Sequence, residues 1–169
     1  MTGPDARDDD RILKILDTLG GQGQTLAVAE SCTGGGLGAA LTAVPGSSAV
    51  FVGGVIAYAN SVKVGLLGVS VSLLETMGAV SSETAAAMAT GVRRATGADW
   101  GVSTTGIAGP AGGDPSRPVG TVWICVSGPA VDSTRCERHL FTGDRESIRS
   151  SSVRAALELL SRMIGEPDA

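Results

Sequence analysis

The feature that most constrains this chain is an interleaving. Short apolar runs of strand length alternate with alanine-rich, amphipathic segments, and glycine stands at almost every junction. TLAVA (25–29) is a continuous apolar run. ESCTGGG (30–36) divides it from an alanine-rich helical stretch at 36–43, which Pro45-Gly46 ends. FVGGVIAYA (51–59) predicts a second strand, with Gly53-Gly54 marking a bulge or a close approach. DWGVSTTG (99–106) predicts a strand that runs into a glycine loop. GTVWICVSG (120–128) and STRCERHLFTG (133–143) read as a hairpin, and the alternation of the second places it at an edge. Helices are expected over 8–19, stopped by Gly20-Gly21, over 82–95, and from Asp144 to the end of RESIRSSSVRAALELLSRMIG. Ser81 or Ser82 suits the start of the 82–95 helix, with Glu83 in its first turn and Arg93 and Arg94 in its last. Residues 61–77 read as short helical pieces broken by Gly65 and Gly68. Interleaving of this kind predicts the α/β class: a three-layer α/β/α domain with a mixed, mostly parallel sheet, forming one domain over 1–169.

Composition narrows the function classes. Hydrophobic residues make up 43% of the chain, enough for a core, while aromatics make up only 3%, so small side chains must pack helices closely onto the sheet. A net charge of -4 argues against non-specific nucleic-acid binding, which needs a basic surface to displace counterions. No apolar run approaches a membrane span, and the acidic start MTGPDARDDD has no signal-peptide character, so a cytoplasmic protein without membrane partners is expected. Cys32, Cys125 and Cys136 lack framework spacing and read as reduced thiols. With His139 as the single histidine and no paired-cysteine motif, a structural zinc site is not expected, while a magnesium ion held by carboxylates stays open on this ground.

Three loops are candidates for holding a ligand. ESCTGGG combines glycines, the hydroxyls of Ser31 and Thr33, and a following helix start; its plain alternative is a capped tight turn. STTGIAGP (103–110) lies at a strand's carboxyl end, where open α/β sheets bind ligands, and Thr104 or Thr105 could donate there; an ordinary connection is the alternative. TGDR (142–145) puts Arg145 in a helix's first turn, against the dipole. It is suited to a phosphate there, or to a solvated pair with Asp144 or Glu146.

PGSSAVFVGGVIAYANSVK (45–63) raises the question of what would activate a serine in a chain with one histidine. His139 alternates with Arg138 and Leu140 in a strand, with nothing local to build a triad. Lys63, flanked by Val62 and Val64, could serve as a base if water were kept from its amine, with Tyr58 orienting it or passing a proton. Equally, Ser47 and Ser48 could cap a strand, Tyr58 fill core and Lys63 snorkel. A thiol route through Cys32 lacks a neighbouring histidine.

AESCTGG, PGSSAVFVGGVIAYANSVK, GAVS, TTGIAGPAGG with RPVGTVW, and FTGDR, in this order over roughly residues 10 to 163, resemble the C-terminal domain of the CinA family. The resemblance is to its standalone nicotinamide-nucleotide amidohydrolase form rather than to the two-domain arrangement. It implies hydrolysis of the carboxamide of nicotinamide mononucleotide to nicotinate mononucleotide and ammonia, in pyridine nucleotide recycling. No metal or organic cofactor and a homo-oligomer are implied. Carried over by position, Ser48 is the implied nucleophile, Lys63 its base and Tyr58 an assistant. Glu30, Ser31, Thr33, Gly34, Thr105, Gly106 and Arg145 fall in the motifs around the substrate. The other reading of the same resemblance is a non-catalytic nucleotide-binding or regulatory module, since the family is associated with competence and damage responses.

Overall fold

A computed structural model describes residues 10–165. Five strands, β1 (Leu26–Glu30), β2 (Phe51–Ile56), β3 (Trp100–Gly106), β4 (Thr121–Ser127) and β5 (Thr134–Leu140), form one sheet in the order β2-β1-β3-β4-β5. β1 is parallel to β2 and to β3, and β4 is antiparallel to β3 and to β5. Four strands therefore share one direction and β4 alone runs against them, so the sheet is mixed and mostly parallel, as expected. The hairpin is β4–β5, and β5 is one edge of the sheet, with β2 at the other.

Six helices cover the sheet: α1 (Arg11–Gly21), α2 (Gly36–Thr42), α3 (Asn60–Leu67), α4 (Val71–Met77), α5 (Ser82–Thr96) and α6 (Arg145–Gly165). The strand period of two sorts the strand side chains between two cores. Leu26, Val28, Val102, Ile124 and Val126 meet the apolar faces of α1, α2 and α6. Ala27 and Ala29 meet Leu67 of α3 and Met88 and Val92 of α5. The second layer lies close because its contacts are small: a Cβ on Gly101 would run into the Ala89 carbonyl of α5, and one on Gly91 into the Leu67 carbonyl. This is where the alanine-rich, aromatic-poor composition is used.

Local details correct several expectations. Residues 8 and 9 of the first expected helix lie outside the described residues. That helix runs through Gly20-Gly21 and turns at Gly23, whose φ is +64°. Burial of Ile12, Ile15, Leu16 and Leu19 outweighs the roughly 1 kcal/mol that each helical glycine costs. Gly65 likewise lies inside α3, and Gly68 ends it in the left-handed region. Ser81 caps α5, its Oγ accepting from the Thr84 N–H. The β2 bulge is real: Leu26 pairs with Phe51 but Ala27 with Gly53, which leaves Val52 as the extra residue. A Cβ on Gly54 would lie 2.7 Å from the Val28 carbonyl, so glycine is also needed there for close approach. β2 stops at Ile56 rather than at 59: the Ala57 N–H on the Glu30 carbonyl is the last bond of its ladder with β1, and α3 begins at Asn60. Cys125 and Cys136 are not reduced thiols here: they stand directly opposite in the β4–β5 ladder and are joined as a disulfide. A ladder brings opposite Cβ atoms to about 5 Å whatever the sequence spacing, which a reading of spacing alone does not detect. No helix among the described residues is long and apolar enough to cross a membrane.

Candidate active site

The chain passes from β1 to β2 on one side and then returns to β3 on the other side of β1. The connections leaving the carboxyl ends of β1 and β3 therefore diverge and open a crevice, the usual ligand position in such sheets. A cavity of about 220 Å³ lies there. Its walls come from the end of β1 (Ser31, Cys32), the start of α3 (Tyr58, Asn60, Lys63), the turn before α5 (Ala79, Val80), the end of β3 (Thr105, Gly106, Ala108) and the start of α6 (Arg145).

Lys63 is its central feature. The side chain is only 1% exposed, the largest among those fully buried. Its Nζ lies 2.7 Å from the Ala57 carbonyl, 3.3 Å from the Tyr58 carbonyl and 3.2 Å from Ser31 Oγ. Among the described residues no carboxylate lines the cavity. Burial lowers the amine's pKa from the usual lysine range, and the nearby Cys32 opposes this. The environment thus favours the uncharged amine that base chemistry requires.

The Ser31 loop is built by Glu30, which is 2% exposed. One Glu30 oxygen accepts from the Thr33 hydroxyl at 2.6 Å and from the N–H groups of Gly35 and Leu37, both at 3.0 Å. The other accepts from the Gly38 N–H at 2.8 Å. Glu30 thus fills the start of α2 with the protein's own carboxylate, which takes over the N–H groups expected to hold a ligand anion. It orients the Thr33 hydroxyl, not the amine. The Thr33 hydroxyl continues to Thr104 Oγ1 at 2.7 Å, and Arg149 of α6 donates to the Thr33 carbonyl at 2.8 Å. Gly34 and Gly35 have φ of +60° and +97°, the left-handed turn that lets the loop fold back over Glu30. Ser31 itself is fixed to the sheet by its N–H on the Thr104 carbonyl at 2.9 Å.

The expected Ser48–Lys63 pair is not formed within the chain. Ser48 is exposed, in a single 3₁₀ turn (Ser47–Ala49) before β2, while Lys63 follows its far end. Six residues of extended strand, about 20 Å, lie between the two levels. Ser31 occupies the position facing the amine instead. The remaining expected residues divide as follows. Thr105 and Gly106 line the cavity, and the Thr105 hydroxyl donates to the Ala79 carbonyl at 2.7 Å, tying the turn before α5 to β3. Arg145 also lines it. Rather than pairing with Asp144 or Glu146, it donates to the Gly109 carbonyl at 2.7 Å and to Tyr58 Oη at 2.9 Å. Thr33 and Gly34 support the loop from behind. His139 lies on β5, stacked on Phe141 with ring centroids 5.1 Å apart and beside Glu137. The Cys32 thiol is 5% exposed, and burial pushes its pKa up to about 12, so it stays protonated and unreactive at neutral pH. The sequence reading missed Asn60, the Ala57 carbonyl and Arg149. Asn60 carried the one available signal, as a polar residue between Tyr58 and Lys63.

The sequence and the fold match known proteins. The profile of the CinA C-terminal domain matches residues 9–164. A CinA-like protein of Synechococcus is 55% identical over 155 residues, covering 92% of this chain and 37% of that protein. One of Myxococcus xanthus is 53% identical over 146 residues, covering 86% and 34%. The chain thus spans little more than a third of these curated relatives. The crystal structure of the competence/damage-inducible protein CihA from Agrobacterium tumefaciens superposes with a TM-score of 0.90 at 36% identity, covering 96% of this chain and 98% of that one. The competence damage-inducible protein A of Klebsiella pneumoniae gives 0.90 at 32% identity, covering 97% and 99%. Residues 9–164 account for nearly all of the sequence, and by this match the chain belongs to the CinA family, through its C-terminal domain.

Proposed function

We propose that this chain is an amidohydrolase that converts the carboxamide of nicotinamide mononucleotide to the carboxylate, releasing ammonia, with Ser31 as nucleophile and Lys63 as base. The observation that carries this reading is the buried Lys63 amine 3.2 Å from a serine hydroxyl that lines an open cavity. A neutral amine has two N–H donors and one lone pair. The Ala57 and Tyr58 carbonyls accept the two donors, which leaves the lone pair for the Ser31 proton. Ser31 Oγ then attacks the carboxamide carbon. The carbon–nitrogen bond breaks as the nitrogen takes the proton held by Lys63, and ammonia leaves an acyl-serine. Water, deprotonated by the same amine, attacks the ester, and the acid is released with Ser31 restored. In this reading the developing oxyanion is stabilised by backbone N–H groups of the loop that follows Ser31.

Arg145 suits the phosphate end. It lines the cavity and has five N–H donors, of which the contacts to the Gly109 carbonyl and Tyr58 Oη engage two. The reaction needs no metal or organic cofactor, and the reading places it in a cytoplasmic homo-oligomer. The test is an ammonia assay with nicotinamide mononucleotide, with the product identified by mass spectrometry. Ammonia and nicotinate mononucleotide from the wild-type chain, and neither from Ser31→Ala, are expected. Nucleotide binding without ammonia release would instead establish a binding or regulatory module of the competence/damage-associated kind.

A further inference from the structure

We propose that the ring of Tyr58 is the platform for the substrate's pyridinium ring, so that the site selects N-substituted, positively charged pyridine carboxamides over uncharged ones. This rests on the amidohydrolase reading above and assigns Tyr58 a part in specificity. Tyr58 is the only tyrosine of the chain, and it is 60% exposed while lining the cavity. It is therefore not a core residue. Its contact with the Lys63 amine runs through the main-chain carbonyl, which any residue would supply. Its hydroxyl accepts from Arg145. The residue is thus tied to the reacting amine by its main-chain carbonyl and to the guanidinium by its hydroxyl, and its ring lies between these two contacts, in the cavity wall. The nucleotide's ring lies in the same interval, because its carboxamide must reach Ser31 while its phosphate reaches Arg145.

Charge makes the ring necessary. Among the described residues, the cavity is lined by two basic side chains, Lys63 and Arg145, and by no acidic one. The nearest buried carboxylate, Glu30, is enclosed by its own loop and accepts four hydrogen bonds there. A pyridinium cation entering this site meets no carboxylate of the described residues. The negative face of an aromatic ring attracts a cation within about 6 Å of its centroid, and Tyr58 is the one aromatic side chain of the lining. Being already fixed by Arg145, it needs little further ordering when substrate arrives.

The test uses the full chain carrying Ser31→Ala, to prevent turnover, and calorimetric binding of two ligands. Nicotinamide mononucleotide and its reduced, dihydropyridine form share the carboxamide, ribose and phosphate and differ in ring charge. The oxidised form should bind about tenfold more tightly. Tyr58→Leu should abolish most of that preference, and Tyr58→Phe should keep it while weakening both ligands alike through the lost Arg145 contact. An unchanged preference in Tyr58→Leu, or its loss in Tyr58→Phe, overturns the inference. The two readings fail separately: ammonia release by the wild type together with an unaltered preference in Tyr58→Leu sinks the platform alone. No binding of either form and no ammonia release sinks the amidohydrolase reading and the platform together.

Discussion

Lys63 Nζ stands 3.2 Å from Ser31 Oγ, although 32 positions separate the two residues in the chain. The contact exists because β1 and β2 are parallel neighbours, so the residue leaving β1 and the helix that follows β2 meet at the same end of the sheet. Ser48, closer to Lys63 in sequence, is at the opposite end of β2. In a parallel sheet, the end of the strand decides which residues meet.

The first prediction follows from that arrangement. Ser31→Ala should reduce ammonia release from nicotinamide mononucleotide by about a thousandfold or more, the scale of losing a catalytic nucleophile. Ser48→Ala should stay within a few-fold of wild type. Steady-state rates on the three proteins decide it, and the reverse ranking would return the role to Ser48, supplied by another subunit.

A second prediction concerns pH. Burial lowers the Lys63 pKa, so activity should rise with pH along a limb centred below the ordinary lysine value of about 10.4. Lys63→Met and Lys63→Arg should both be inactive across that range, since a guanidinium keeps its proton. Stability carries the same sign. Between the lowered folded-state pKa and the unfolded one, the folded chain binds fewer protons, so stability rises with pH through that interval, and below it the burial penalty acts in full. The melting temperature of Lys63→Met relative to wild type should therefore be most favourable near pH 7 and become less so as pH approaches 10. A pH-independent difference would show that the amine is not displaced from its usual pKa.

Glu30 gives a structural prediction. Glu30→Ala removes the acceptor for one hydroxyl and three N–H groups in a buried loop, and should cost about 3 kcal/mol or more in urea denaturation. Glu30→Gln, which keeps an acceptor oxygen, should cost less. A loss under about 1 kcal/mol in Glu30→Ala would mean the loop is held by other contacts.

Cys32 separates serine from thiol chemistry. With its pKa pushed up to about 12, the thiol is protonated at pH 8, so iodoacetamide should leave activity intact, and Cys32→Ala should retain turnover. Rapid inactivation by the alkylating agent, abolished in Cys32→Ala, would make the cysteine the nucleophile.

Much of this protein is written locally. Continuous apolar runs, the Ser81 cap, the Arg93-Arg94 helix end and the alternation of β5 report layers and elements, because each depends on neighbours within a few residues. The motifs likewise identified Lys63, Ser31, Thr105 and Arg145 as residues of one region, and the cavity has all four in its lining. Pairings were decided elsewhere. Which serine faces the amine, which carbonyls hold it, that Glu30 closes on its own loop, and that Cys125 meets Cys136 all depend on strand order, direction and register. Those are set by which faces can be buried together across the whole chain, a long-range balance of packing that no single stretch encodes.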